Sequence, residues 1–127
     1  MGTGCFGDIV PALEQVMNGQ EGRHFADING PVEELPRVLS TPRQYAYLRI
    51  AEGCSNRCAY CVIPSLRGNY RSRRMEDILQ EAQALADDGV QECIVIAQDI
   101  TRYGMDLYGE RKLPELLRAL CRLPFHW

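Results

Sequence analysis

Cys54, Cys58 and Cys61 lie within eight residues of the stretch EGCSNRCAYC, spaced Cys-x3-Cys-x2-Cys. Three thiols on so short a loop can close around one compact inorganic centre. A 4Fe-4S cluster has four irons and ordinarily takes four thiolates. With three, one iron is left with an open coordination position, which is how a metal centre binds something reactive. A structural zinc site is the competing chemistry, with Cys5, Cys93, Cys121, His24 or His126 as fourth ligand. Zinc sites usually come as paired Cys-x2-Cys knuckles, and there is no second pair in this sequence. Cys93 opens an apolar run and Cys121 lies on an apolar helical stripe, so both read as small core residues.

The elements that position this loop follow from hydrophobic period. YAYLRIAEG (45–53) alternates, with Tyr45, Tyr47 and Arg49 on one face and Ala46, Leu48 and Ile50 on the other, and reads as a strand. Met75, Ile78, Leu79, Ala82, Leu85 and Ala86 form a helical stripe stopped by Gly89. CIVIA (93–97) is apolar without alternation, the pattern of a parallel strand buried on both faces. Leu113, Leu116, Leu117, Leu120 and Cys121 form a last stripe, with Pro114 in its first turn. Strand, cysteine loop, helix, strand and helix make an α/β unit with parallel strands. In such units ligands sit beyond the carboxyl ends of the strands. The cysteines follow the first strand there, and Gln98 and Asp99 follow the second.

Upstream, Val10, Leu13, Val16 and Met17 predict a short helix with Asp8 near its N-cap and Pro11 in its first turn. Residues 23–44, rich in Pro, Gly and charge, read as a connector. Net charge is -3, but Arg37 to Arg74 holds eight arginines against one acid, Glu52. Such a run is usually a solvated face. An anionic cluster, ligand or macromolecule would also account for it. The longest apolar run is far short of the roughly 20 residues of a membrane span. The N-terminus lacks the basic head and apolar core of a signal peptide, so a cytoplasmic setting is expected. Six cysteines in that setting point to metal or catalysis before disulfides.

Tyr60 precedes the third cysteine of the triad. That aromatic and the cysteine spacing together resemble the radical S-adenosylmethionine enzymes. The flanks YAYLRIAEGCSNRCAYCVIPSLRGNYRSR resemble one branch of them, the methylthiotransferases, and AQDITRYGMDLYG (97–109) resembles the RimO-type members. The resemblance runs from about Gly4 to Leu123. It implies that Cys54, Cys58 and Cys61 bind a 4Fe-4S cluster whose fourth iron is chelated by the methionine part of S-adenosylmethionine. The reduced cluster then cleaves that cosubstrate to a 5'-deoxyadenosyl radical. It implies a substrate aspartate on a small-subunit ribosomal protein, with the MiaB-type tRNA adenosine enzymes as the alternative. A reductant such as flavodoxin or ferredoxin is implied, and RNA contact only through a C-terminal β-barrel.

The resemblance further implies that GTGCFG (2–7) is the end of an N-terminal domain in which Cys5 and two upstream cysteines hold a second 4Fe-4S cluster. The chain then reads as a fragment. Residues 1–22 are the end of that domain, 23–44 a linker, and 45–127 the first part of a radical SAM (β/α) barrel. Residue by residue, Tyr60 would lie near the adenine or shield the cluster from water. Gln98 and Asp99 would contact the cofactor's amino acid or ribose, with a plain strand-end cap as the other reading of Asp99. Arg67, Arg71 and Arg73 would hold cofactor carboxylate or substrate, or pair with acids of neighbouring elements. Asp106 and Tyr108 would face substrate by fold analogy. His24 and His126 read as surface residues. Two other functions fit parts of the pattern: a zinc-dependent nucleic-acid module using the basic segment, and a cluster-bearing electron carrier.

Overall fold

The structure, a computed structural model, describes residues 1–35, 37–40 and 42–125. His126 lies outside the described residues. The expected first strand forms as β1 (Tyr45–Arg49), whose alternate side chains Ala46 and Leu48 are buried while Tyr45 and Tyr47 are exposed. Ile50 interrupts it, and β2 (Ala51–Glu52) turns to a different partner. After the cysteine loop come a single turn of helix, α2 (Ile63–Arg67), and β3 (Arg71–Ser72). Then follow α3 (Met75–Asp87) and β4 (Glu92–Ile96). A 3-10 turn at Ile100–Arg102 leads to the last helix, which is numbered below after the N-terminal one.

β1 and β4 pair in parallel, Tyr45 opposite Glu92 through Arg49 opposite Ile96, with α3 as the crossover between them. β2 and β3 pair antiparallel, Ala51 opposite Ser72 and Glu52 opposite Arg71. The molecule is thus mixed α/β with a parallel pair at its centre. At the N-terminus, α1 (Ile9–Met17) begins where expected, with Asp8 at its N-cap, although no side chain caps it. At the other end α4 (Leu113–Leu120) closes the described chain, with Pro114 in its first turn.

The core lies on one face of the parallel pair. Ala46, Leu48, Ile50 and Cys93 meet Ile78, Ala82 and Leu85 of α3 and Leu116 and Leu120 of α4. Each fully buried Leu or Ile there contributes about 2 kcal/mol by removal from water. Helix α3 stops at Asp88 because Gly89 takes the left-handed conformation, φ +83°, that an L side chain rarely adopts. Tyr103, fully buried, extends the core and donates its hydroxyl proton to the Arg73 carbonyl at 3.0 Å.

Two expectations change. β4 is buried on one face only: Cys93 is enclosed, but Ile96 is 39% exposed. Both helices pack on the Ala46–Leu48–Cys93 side, which leaves Tyr45, Tyr47 and Ile96 open on the other. Cys121 is exposed and not a core residue. The stripe of α4 is two columns wide; the Leu116–Leu120 column faces inward and the Leu117–Cys121 column does not. On α1, Val10, Leu13, Val16 and Met17 are all more than half exposed, and only Ala12 is buried.

Residues 23–44 contain no helix or strand among those described, yet they are docked along their length. The Asn29 side-chain oxygen accepts from the Asn69 amide at 2.9 Å. Arg71 donates to the Ile28 carbonyl. Arg73 is paired with Glu34, and Arg37 reaches the Tyr47 carbonyl and Glu81, the latter at 2.9 Å. The approach at Gly68 is close enough that a Cβ there would sit 2.4 Å from the Ile28 carbonyl oxygen.

Candidate functional site

The cysteine loop is closed at its base. The Cys54 amide donates to the Gly68 carbonyl at 3.2 Å, and the Tyr70 amide donates to the Ser55 hydroxyl at 3.0 Å. Gly53 makes this possible. It has φ +73°, and a Cβ would stand 2.2 Å from the Asn69 carbonyl oxygen, so two backbone strands meet where no side chain fits. Within the loop Arg57 also adopts a positive φ, 50°, and the Cys61 amide donates to the Cys58 carbonyl at 3.0 Å. A turn of this kind brings its ends together without a helix or strand.

All three cysteines are free thiols. Cys54 is buried, Cys58 exposed and Cys61 between the two. Cys58 and Cys61 line one open cavity of about 480 Å³ with Asn29, Arg57, Ser65 and Asn69. Loop residues 53–62 carry no carboxylate and no imidazole, so thiols are its only strong metal ligands.

The carboxyl end of β4 meets the loop directly. Asn56 Nδ2 donates to Asp99 Oδ2 at 3.0 Å, and Arg102 reaches Asn56 Oδ1 at 3.3 Å. Asp99 also caps the 3-10 turn, accepting from the Thr101 amide at 3.0 Å and from its hydroxyl at 2.7 Å. The Thr101 hydroxyl and the Asn56 amide hold its carboxyl below the ordinary value of 3.8. Gln98 is exposed on the same edge. Tyr60 is 94% exposed and covers nothing in this arrangement.

Arg67, Arg71 and Arg73, the three arginines proposed for cofactor carboxylate or substrate, are each engaged by other groups of the fold. Arg73 is 6% exposed and bound to Glu34, to Glu81 at 2.6 Å and to the Arg49 carbonyl at 2.6 Å. Burial works against its charge, and the two carboxylates more than offset that. Arg71 donates to the carbonyls of Ile28, Asn69 and Arg67, the last two at 3.2 Å. Arg67 pairs with Glu52 at 3.3 Å. Asp106 accepts from the Ser72 amide at 2.7 Å and hydroxyl at 2.6 Å, and the Tyr108 hydroxyl accepts from the Met75 amide at 2.9 Å. Asp106 therefore braces β3, and Tyr108 the start of α3. Cys5 is 2% exposed, its thiol within reach of the carbonyls of Gly2 (3.2 Å) and His24 (3.1 Å). His24 is not a free surface group: its ring bridges Asp8 at 3.2 Å and Gln15 at 3.0 Å. Burial pushes the Cys93 thiol up to about 11, which makes it unreactive at neutral pH.

Asn56 and Glu52 carry no motif of their own. The only sequence signal for Glu52 is that it is the single acid in a run of eight arginines.

Residues 48–125, which span this loop, both parallel-strand ends and α4, match the Radical SAM superfamily. The chain belongs to the radical SAM superfamily. Among curated relatives it is 52% identical, over 124 residues, to the ribosomal protein uS12 methylthiotransferase RimO of Caldanaerobacter subterraneus subsp. tengcongensis, covering 97% of this chain and 28% of the relative. It is 50% identical to the protein of the same name from Clostridioides difficile over 129 residues, 100% of this chain and 29% of that one. A third, from Rippkaea orientalis, is also 50% identical over 129 residues, 100% of this chain and 29% of the relative. The chain thus spans under a third of the length of these relatives.

Membership of the radical SAM superfamily implies a 4Fe-4S cluster and S-adenosylmethionine. The loop's chemistry agrees with such a cluster, since it offers three thiols, a cavity beside two of them and no harder ligand. In this arrangement, among the described residues, no three Cys, His, Asp or Glu side chains converge closely enough to hold a metal ion.

Proposed function

We propose that this chain is the cluster-bearing part of a methylthiotransferase that modifies an aspartate β-carbon of ribosomal protein uS12. The observation that carries the proposal is identity of about 50% to RimO proteins across essentially the whole chain, linker included. Residues 1–22 are the end of a preceding domain, 23–44 its linker, and 45–127 the first βαβα units of a radical SAM barrel.

Cys54, Cys58 and Cys61 are the cluster ligands in this reading, and Cys5 one ligand of a second cluster in the longer protein. When bound, the first cluster supplies the electron that activates S-adenosylmethionine. The chain's own residues hold, orient and shield. The Gly53 turn and the Cys54–Gly68 hydrogen bond present the three thiols from one loop. Asn56 and Asp99 join that loop to the edge where Gln98 stands, so cofactor groups held by Gln98 and Asp99 would be fixed relative to the thiols. Tyr60, exposed on the loop, would fold over a bound cofactor in this reading. Arg71 and Arg73, offered above for cofactor, are assigned instead to holding residues 23–44, because Arg71 donates to the Ile28 carbonyl and Arg73 pairs with Glu34.

The test is substrate choice by the full-length enzyme, anaerobically reconstituted and given a reductant such as flavodoxin or ferredoxin. Methylthiolation of uS12, with tRNA adenosines left unmodified, is expected. Modification of tRNA and not of uS12 would place the protein with the MiaB type. Stoichiometric zinc in place of iron and acid-labile sulfide would overturn the radical reading altogether.

A further inference from the structure

Glu52 is 6% exposed, and it is the only acid between residues 37 and 74. A buried carboxylate is costly unless it is paired on every side. Here it takes Arg49 Nη1 at 2.5 Å on one oxygen and Arg67 Nη1 at 3.3 Å on the other. Its own Oε1 also accepts from the Gly53 amide at 3.4 Å. These partners come from three places. Arg49 ends β1, Gly53 begins the cysteine loop, and Arg67 ends α2, six residues after Cys61. One carboxylate therefore ties the two limbs of the loop to each other and to the strand behind them. The tie extends further: the Arg67 guanidinium lies over the Phe6 ring, 5.6 Å from its centroid, and Thr3 donates to the Leu66 carbonyl. Phe6 and Thr3 flank the turn that carries Cys5.

We infer that Glu52 is a positioning residue that holds the cysteine loop closed and registers it against the N-terminal Cys5 turn. The backbone bonds at the base would leave a loop of this length with many accessible shapes. A charged knot between its limbs removes most of them before any cofactor arrives, so the ordering does not have to be supplied by binding. Without Glu52, Arg49 of the strand and Arg67 of the returning limb would repel each other across the base of the loop. That is the physical reason one acid stands in a stretch whose other charged residues are all arginines. The purpose given to the loop rests on the reading of residues 53–62 as the cluster-holding segment, but the arrangement can be tested without any cluster.

The experiment is alkylation of the cluster-free, full-length protein with iodoacetamide, read cysteine by cysteine by mass spectrometry. In the native protein exposed Cys58 reacts first and Cys54 is protected. Glu52→Gln keeps the shape and removes the charge; Cys54 should then react about tenfold faster, as expected for local opening, while core Cys93 stays protected. Arg67→Met, at a side chain that is 37% exposed and therefore tolerant, should raise Cys54 reactivity by a smaller factor because Arg49 still holds Glu52. It also carries the test should Glu52→Gln fail to fold. Unchanged Cys54 reactivity, or a rise matched by Cys93, would overturn the inference, since the first means that no knot holds the loop and the second that only global stability was lost. Neither outcome depends on whether the protein modifies uS12.

Discussion

Asn56 Nδ2 lies 3.0 Å from Asp99 Oδ2, and this hydrogen bond joins the middle of the cysteine loop to the carboxyl end of the second parallel strand. The two residues are 43 apart in sequence, and the bond spans the edge where α/β units hold ligands. The bond ties the loop to the strand end. Asn56→Ala should raise the KM for S-adenosylmethionine about tenfold, with a smaller effect on kcat, because it frees the loop without removing a thiol. Steady-state 5'-deoxyadenosine formation by the full-length enzyme checks this; equal loss in both parameters would contradict it.

The same bond has a pH signature. The Asp99 carboxyl is held below 3.8 in the fold, first by the Thr101 hydroxyl and then by Asn56. The folded state thus sheds its proton more readily than the unfolded chain. The stabilisation is fully present above about pH 4 and fades as the pH falls through the folded value. Asp99→Asn should therefore lie below the native protein in stability by a constant amount from about pH 5 to 8. The two should converge in acid. Urea unfolding at stepped pH reads the difference.

Substitution of the thiols separates ligands from bystanders. Cys54→Ala, Cys58→Ala and Cys61→Ala should each abolish S-adenosylmethionine cleavage in the full-length enzyme. Cys121→Ser, at an exposed position on the outer column of α4, should leave it within about twofold, as surface changes away from a site usually do. Iron content and 5'-deoxyadenosine yield are the measurements; near-normal cleavage by any of the first three would remove that cysteine from the ligand set.

Arg73, itself paired with Glu81 of α3, fastens segment 23–44 to the α/β unit through Glu34. Its loss leaves Glu81 still paired with Arg37 and Glu34 free to hydrate, so Arg73→Met should cost about 2–4 kcal/mol, toward the lower end for a buried pair. The linker should detach with it. Limited proteolysis ought to show new cleavage between residues 30 and 40 in the variant, and chemical denaturation a lower midpoint. A variant as resistant to protease as the native protein would mean that other contacts hold the linker.

The 127-residue chain studied by itself exposes Tyr45, Tyr47 and Ile96 on one sheet face and most of the apolar side of α1. A two-stranded sheet covered on one side is marginal. The isolated chain should bind a hydrophobic dye, self-associate at micromolar concentration and show no methylthiotransferase turnover. A cooperative monomeric unfolding transition together with product formation would refute this.

Much of the molecule was legible in local pattern. The alternation of 45–50, the stripe of 75–86 and the Gly89 stop specify β1, α3 and its end, because period and backbone freedom are properties of neighbouring residues. The cysteine spacing and its flanks were enough to point to the superfamily that residues 48–125 match. Apolar runs such as 93–97 and 113–121 were legible as elements but not in how many faces they bury, since that depends on which neighbours are packed against them. The arginines show the limit most clearly. Arg49, Arg67, Arg71 and Arg73 look alike in sequence, each a cation near the cysteines. Tertiary structure divides them by the acid or carbonyl that happens to lie within 3 Å or so: Glu52 for Arg49 and Arg67, the linker carbonyl of Ile28 for Arg71, Glu34 and Glu81 for Arg73. Partners 15 to 43 residues away decide most of those roles, and a charge carries no mark in the sequence of which distant partner will neutralise it.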